Sequence, residues 1–204
     1  VRWAGLRPQD LNEKKVFIQG GAGGVGSTAI QLFNHWGCEV SSTCSAVNVD
    51  FLQSLGAKMA INYESEAFQD TLDDHDIVYD LLGDSVLDDS IDVCCKILKN
   101  NSSSHYITLT HPLMNTLDDK GLLLGAPHAF FLRQKVKSAH KPINIHWSIY
   151  RPSLSGLQEL THLAEEEIIK PIVNSVYTLS DISEAHKKVA TGHGTGKIVI
   201  NNIL

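Results

Sequence analysis

Short apolar runs alternate with amphipathic stretches along the first two thirds of the chain. Residues 16–19 read as a buried strand. Residues 25–36 read as a helix, because Ala29, Leu32, Phe33 and Trp36 recur at three- and four-residue steps and mark one apolar face. Gly37 ends that helix. A second strand follows at 39–44, a helix at 47–55 stopped by Gly56, a third strand at 58–62 and a weak helical turn at 68–72. Residues 76–81 are almost continuously apolar, as a parallel strand covered on both faces should be. A helix at 86–98 and a fifth strand at 106–109 continue the pattern. The alternation predicts an α/β fold, a doubly wound parallel sheet with right-handed crossovers.

Beyond residue 112 the pattern loosens. Residues 121–132 are apolar and 133–141 basic, which predicts a helix with a basic end, stopped by Pro142. Alternation over 143–149 predicts a sixth strand. A helix at 154–167 is capped by Ser153 or Ser155, and 170–177, a helix at 182–190 and 197–200 make a tail of mixed type. Ser180 and Asp181 are N-cap candidates for the helix at 182–190, with Glu184 nearby.

The step from the first strand into its helix carries the chemistry. Gly21, Gly23 and Gly26 fit G-x-G-x-x-G, with Gly20 and Gly24 beside them. A strand, a glycine-rich turn and a helix in that order form a pyrophosphate pocket. Main chain approaches the phosphate where no Cβ intervenes, and the N–H groups and dipole of the helix hold the anion. The plain alternative is a merely tight βα turn.

Composition narrows the classes. A net charge of −6 without a Lys/Arg block argues against a nucleic-acid binder or a polybasic membrane anchor. Apolar residues at 43% can fill a sizeable core, yet no run is long enough for a membrane span. Cys38, Cys44, Cys94 and Cys95 form no C-x-x-C pair, which fits reduced thiols in an intracellular protein. A start at Val1 predicts that an N-terminal part, with any targeting segment, lies outside this sequence.

Four stretches resemble the medium-chain dehydrogenases/reductases. They are Gly20-Gly21-Ala22-Gly23-Gly24-Val25-Gly26 with Ala29-Ile30-Gln31-Leu32; Leu55-Gly56-Ala57 with Ile61-Asn62-Tyr63; Asp76-Ile77-Val78-Tyr79-Asp80 with Gly83; and the ending 192–200. The zinc-free quinone oxidoreductase branch fits best, and 106–112 with 192–201 resemble a mitochondrial group inside it. The resemblance implies a Rossmann-type coenzyme domain over 1–150. It also implies that 151–204 is the C-terminal segment of an incomplete GroES-like substrate domain, whose N-terminal part is absent here. Further implications are a mitochondrial location, a membrane-protein partner, a homodimer through the edge of the coenzyme sheet, and reduction of a quinone or enone.

For the coenzyme, the end of the second strand reads Thr43-Cys44-Ser45-Ala46, with no acid to hold ribose hydroxyls. Ser45 can donate to a 2′-phosphate, which favours NADPH, although no Lys or Arg follows before Leu55. With Gly21, Gly23 and Gly26 already assigned to the pyrophosphate turn by their motif, the resemblance places Ala22, Gly24 and Val25 at the pyrophosphate and Tyr63 at the phosphate or adenosine. It places Leu82, Gly83 and Leu109 along the adenosine and nicotinamide-ribose side, and His146 and Trp147 near the nicotinamide. His193, Gly194 and Thr195 close over the coenzyme. Read alone, Tyr63 is a strand-end aromatic and His193 a loop histidine. Thr195 stands where relatives often carry a basic residue, and Asp84 where they often carry a second glycine.

Rival chemistries lack their residues. No tyrosine has Lys four positions on, and no G-x-S-x-G, H-E-x-x-H or phosphate-loop GK[ST] motif occurs. The scattered histidines have no metal spacing, so no metal site is expected. Tyr150 and His111 are weak candidates for a proton donor, and no catalytic residue is assigned. Two other classes remain: a nucleotide-binding interaction module, and an S-adenosylmethionine methyltransferase, disfavoured because Gln19 before the glycines is not acidic.

Overall fold

The apolar runs become six parallel strands in a computed structural model that describes residues 4–83, 89–149, 151–192 and 194–202. They are β1 (Lys15–Gln19), β2 (Glu39–Cys44), β3 (Met59–Asn62), β4 (Ile77–Asp80), β5 (His105–Thr108) and β6 (Asn144–Trp147). The order is β3-β2-β1-β4-β5-β6. The chain runs outward from β1 in one direction and then from β4 in the other. That reversal leaves a crevice at the carboxyl ends of β1 and β4, where α/β sheets take ligands.

Both faces are covered, as the expected doubly wound fold requires. Val16, Ile18, Val40, Ile77 and Ile107 pack on one face against Ile30 and Phe33 of α1 (Gly26–His35) and Leu52 of α2 (Val49–Ser54). Phe17, Ile61, Val78, Tyr106 and Ile145 pack on the other against α3 (Phe68–Thr71) and α4 (Ser90–Lys96) through Phe68 and Cys94. The Phe17 and Phe68 rings stack at 4.6 Å. Each fully buried side chain of this size contributes ~1.5–3 kcal/mol.

Some elements depart from the expectation. The helix expected at 47–55 is split into a tight turn, Ala46–Asn48, and α2. The start of the helix expected at 86–98 falls on 84–88, outside the described residues. A long helix, α5 (Leu113–Ala139), begins well before the apolar stretch and breaks at Gly121, whose φ of 68° and ψ of 172° are not helical. Leu122, Leu123 and Leu124 beyond the break are exposed.

After β6 come α6 (Leu154–Glu165), β7 (Val173–Thr178), α7 (Ile182–Ala190) and β8 (Lys197–Asn201). Ser153 caps α6 by accepting from the Gly156 N–H at 3.1 Å. Asp181 stands before α7 without a side-chain capping bond. β7 and β8 pair in a separate two-stranded sheet that exposes Val173, Val176 and Val199. Among the described residues, hydrogen bonds return this segment to α1 and to the turn before it. The Gln31 side-chain amide exchanges hydrogen bonds with the Lys170 main chain at 2.8 and 3.1 Å, and the Gly196 N–H donates to the Ala22 carbonyl at 2.9 Å. No helix among the described residues is long and apolar enough to cross a membrane.

Candidate functional site

The glycines of the first turn have different jobs. Gly20 alone among them has a positive φ, 86°. Its N–H donates to the Thr43 hydroxyl at 3.1 Å, and that of Gly21 to the Thr43 carbonyl at 3.2 Å, so the turn is fastened to β2. A Cβ on Gly26 would lie 2.7 Å from Gly21 Cα and 2.8 Å from the Gly21 carbonyl oxygen, so Gly26 lets α1 close onto the turn. Gly23 and Gly24 have no such neighbours. A Cβ on Gly23 would meet only the Gly20 carbonyl oxygen at 3.6 Å, and one on Gly24 only the end of the Lys197 side chain. The bareness of Gly23 serves nothing inside the fold, while that of Gly24 makes room for the Lys197 side chain. Among the described residues the Gly24 and Val25 N–H groups reach no main-chain acceptor, and α1 has no side-chain cap. Free donors at the positive end of a helix are what an anion needs.

The neighbouring loops form the walls. Ser45 and Tyr63 stand one residue beyond the paired Cys44 and Asn62 at the ends of β2 and β3. Ser45 Oγ accepts from Asn48 at 2.9 Å and keeps its own O–H to donate. Tyr63 is half exposed. Leu82 packs over the turn, its Cγ 3.0 Å from where a Gly20 Cβ would be. Gly83, at φ 57°, fits against Thr110, and Leu109 is 41% exposed just beyond β5. Gly194 is open on its side-chain face, and Thr195 accepts a hydrogen bond from Asn174 at 2.7 Å. The Gly23–Gly196 bridge draws this segment against the turn. His193, Tyr150 and Asp84 lie outside the described residues.

The β6 pair separates. Trp147 ends β6 and stacks on His111, ring centroids 5.4 Å apart and nearly parallel. The His111 Nε2 pairs with the Ser148 carbonyl at 3.1 Å, and its Nδ1 is buried without a partner among the described residues. His146, expected beside Trp147, turns away from the crevice. Side chains alternate along a strand, and its Nε2 lies 3.0 Å from Nδ1 of His105 at the opposite end of β5. Burial, then the nearby His105 and Lys137, push the His146 imidazole down to about 4, so it is neutral at pH 7.

A buried network missed in the sequence holds the β4 turn. Asp80 accepts from the Leu82 and Gly83 N–H groups at 3.0 and 2.8 Å, from Ser90 at 2.8 Å and from the Tyr106 hydroxyl at 2.6 Å. Burial, then the facing Asp80, hold the Tyr106 hydroxyl far above its ordinary range. Asp80 is therefore a fixed acceptor that sets where Leu82 and Gly83 stand. Burial likewise pushes Cys38 and Cys95 up to about 12, which removes them as nucleophiles.

Comparisons with known proteins place the chain in a family. Residues 55–200 match the family described as zinc-binding dehydrogenase. The chain is 30% identical over 203 residues to the zebrafish (Danio rerio) protein named NAD(P)H oxidoreductase RTN4IP1, mitochondrial, covering 98% of this chain and 52% of that protein. It is 29% identical over 194 residues to the 2-methylene-furan-3-one reductase of Solanum lycopersicum, covering 93% of this chain and 41% of that protein. The quinone oxidoreductase of Coxiella burnetii superposes with a TM-score of 0.74 at 28% identity, over 96% of this chain and 55% of that one. The chain thus spans about half the length of the curated relatives it matches. Among the described residues no three His, Cys, Asp or Glu side chains are grouped to hold a metal ion.

Proposed function

Since this chain belongs to the zinc-binding dehydrogenase family, we propose that it is the coenzyme-holding part of an NADPH-dependent oxidoreductase that delivers hydride to a quinone or enone. The observation that carries the reading is the glycine turn at the start of α1, where the Gly24 and Val25 N–H groups reach no main-chain acceptor among the described residues. Relatives named NAD(P)H oxidoreductase and quinone oxidoreductase support it. We assign 151–204 to the substrate side of the longer protein, and place that protein in mitochondria after its relatives' names. A homodimer through β6, the last strand in the sheet order, and a membrane-protein partner belong to the same proposal.

The bound coenzyme supplies the hydride. The chain supplies position. Gly24 and Val25 N–H groups hold the diphosphate, and the Ser45 hydroxyl donates to the 2′-phosphate beside Tyr63. Leu82, Gly83 and Leu109 line the path toward the nicotinamide, where Trp147 shields the carboxyl end of β6 from water. Holding the nicotinamide ~3–3.5 Å from an electron-poor carbon accounts for most of what such a reaction needs.

Calorimetric titration of the purified protein tests the reading. NADPH is expected to bind more tightly than NADH, and S-adenosylmethionine not at all. Binding of S-adenosylmethionine without either pyridine nucleotide would overturn it. NADPH binding with no oxidation by any quinone or enone would leave the interaction-module alternative.

A further inference from the structure

We propose that the second half of α5, with Lys141 just beyond it, seats the protein on an anionic lipid bilayer. Its exposed leucines and phenylalanines enter the acyl boundary, and its lysines meet the headgroups. The seat does not depend on the coenzyme reading.

The helix is apolar on two faces, and the fold uses one of them. After the break at Gly121, a Cβ on Gly125 would lie 2.7 Å from the Thr116 carbonyl oxygen and 3.1 Å from Leu117 Cα, so the chain after the break lies close against the chain before it. Gly125 and Ala129 are buried there, and Val136 packs against the core on the Phe17 side of the sheet. The outward face repeats the apolar pattern. Leu123, Pro127 and Phe130 follow at steps of four and three, and Leu124 and Phe131 are seven apart, as on one side of a helix. Leu122, Leu123, Leu124, Phe130 and Phe131 are 61–89% exposed, so they project from the surface. Single exposed apolar residues are ordinary, whereas a contiguous set marks an interaction site.

Charge selects the occupant. The net charge of −6, which argues against a polybasic anchor, averages over an uneven chain. No Asp or Glu occurs between Asp119 and Glu159. Within that stretch Arg133, Lys135, Lys137 and Lys141 follow the phenylalanines. No ion pair among the described residues uses any of these four. The Asp92 carboxylate of α4 reaches this end, where His140 holds it at 2.7 Å. Burial, then the nearby Arg133, lower Lys137 from its ordinary range, so cations here crowd one another. A second copy meeting this face would bring four more cations and no acid from the same stretch. An anionic bilayer offers apolar depth to the leucines and phenylalanines and phosphate charge to the lysines. With no helix among the described residues able to cross a membrane, the protein lies on the bilayer.

Flotation of the purified protein with protein-free vesicles tests the proposal. The vesicles are phosphatidylcholine alone, or phosphatidylcholine with phosphatidylglycerol. The parent should bind the anionic vesicles at least about tenfold more strongly than the neutral ones and lose most of that binding in ~0.5 M salt. Phe130→Ser with Phe131→Ser, and separately Lys135→Glu with Lys141→Glu, should each weaken binding by about tenfold or more. All four positions are exposed, so the urea midpoint should stay at the parent value. A parent that ignores anionic vesicles overturns the proposal, and so does either folded double variant that binds them as tightly as the parent. If the phenylalanine variant instead converts a parent dimer to a monomer and neither binds vesicles, the face is a contact between copies and the proposal falls.

Discussion

Alanine at Gly26 and at Gly24 should break different properties, although the two glycines are two positions apart in one motif. At Gly26 the new Cβ would sit within 2.8 Å of Gly21 Cα and the Gly21 carbonyl oxygen, and closer still to the Gly20 carbonyl. All three are main-chain atoms, so α1 must move off the turn. Overpacking costs ~1–3 kcal/mol, and rigid backbone neighbours put this site at the upper end. At Gly24 the Cβ meets only the flexible end of Lys197, which can swing into solvent. Stability should then stay within about 0.5 kcal/mol of the parent. Binding is another matter, because on the proposed reading that Cβ would stand in the way of the diphosphate. Two hydrogen bonds from N–H to a charged group, each ~1.5–3 kcal/mol, are lost. NADPH affinity should fall by about a hundredfold or more. Urea denaturation measures the first property and calorimetry the second. The reasoning is refuted if Gly24→Ala binds NADPH within about threefold of the parent, or if Gly26→Ala is as stable as the parent.

Other consequences are open to measurement. Tyr106→Phe removes the 2.6 Å hydrogen bond to Asp80 and should cost ~1.5–3 kcal/mol in urea denaturation; an unchanged midpoint would count against the Asp80 network. Ser45→Asp should reverse coenzyme preference toward NADH, read as the ratio of the two dissociation constants; a ratio that does not move would remove Ser45 from the 2′-phosphate. His146 is held neutral, its folded value lowered from 6.5 to about 4. The unfolded chain therefore takes up a proton first as pH falls, and stability present above pH 6.5 is lost on the way down to 4. Allowing for partial solvent screening, His146 should contribute a loss of ~1–2 kcal/mol between pH 7 and pH 5. His146→Gln should flatten that slope, and an unaltered slope would refute the assignment.

The sheet was legible because its cause is local. Apolar runs of strand length separated by glycine-stopped helices leave few other arrangements, and the G-x-G-x-x-G turn marks the helix end where the crevice forms. The failures have equally specific causes. α5 starts at Leu113, before the apolar stretch at 121–132 that marked it in the sequence, and the Leu122–Leu124 run is exposed. His146 was placed by its neighbour Trp147, but adjacent strand residues face opposite ways, and its ring reaches back across β5 to His105. Asp80 and Tyr106 come together across β4 and β5, and Lys197 reaches Gly24 across more than 170 positions of sequence. Neither contact leaves a periodic signal.

A crystal structure of the protein grown with NADPH tests the central claim most directly. The account predicts the diphosphate bridge against the Gly24 and Val25 N–H groups, with the adenosine end between Ser45 and Tyr63. Coenzyme density that leaves the turn between Gly20 and Gly26 untouched would contradict it.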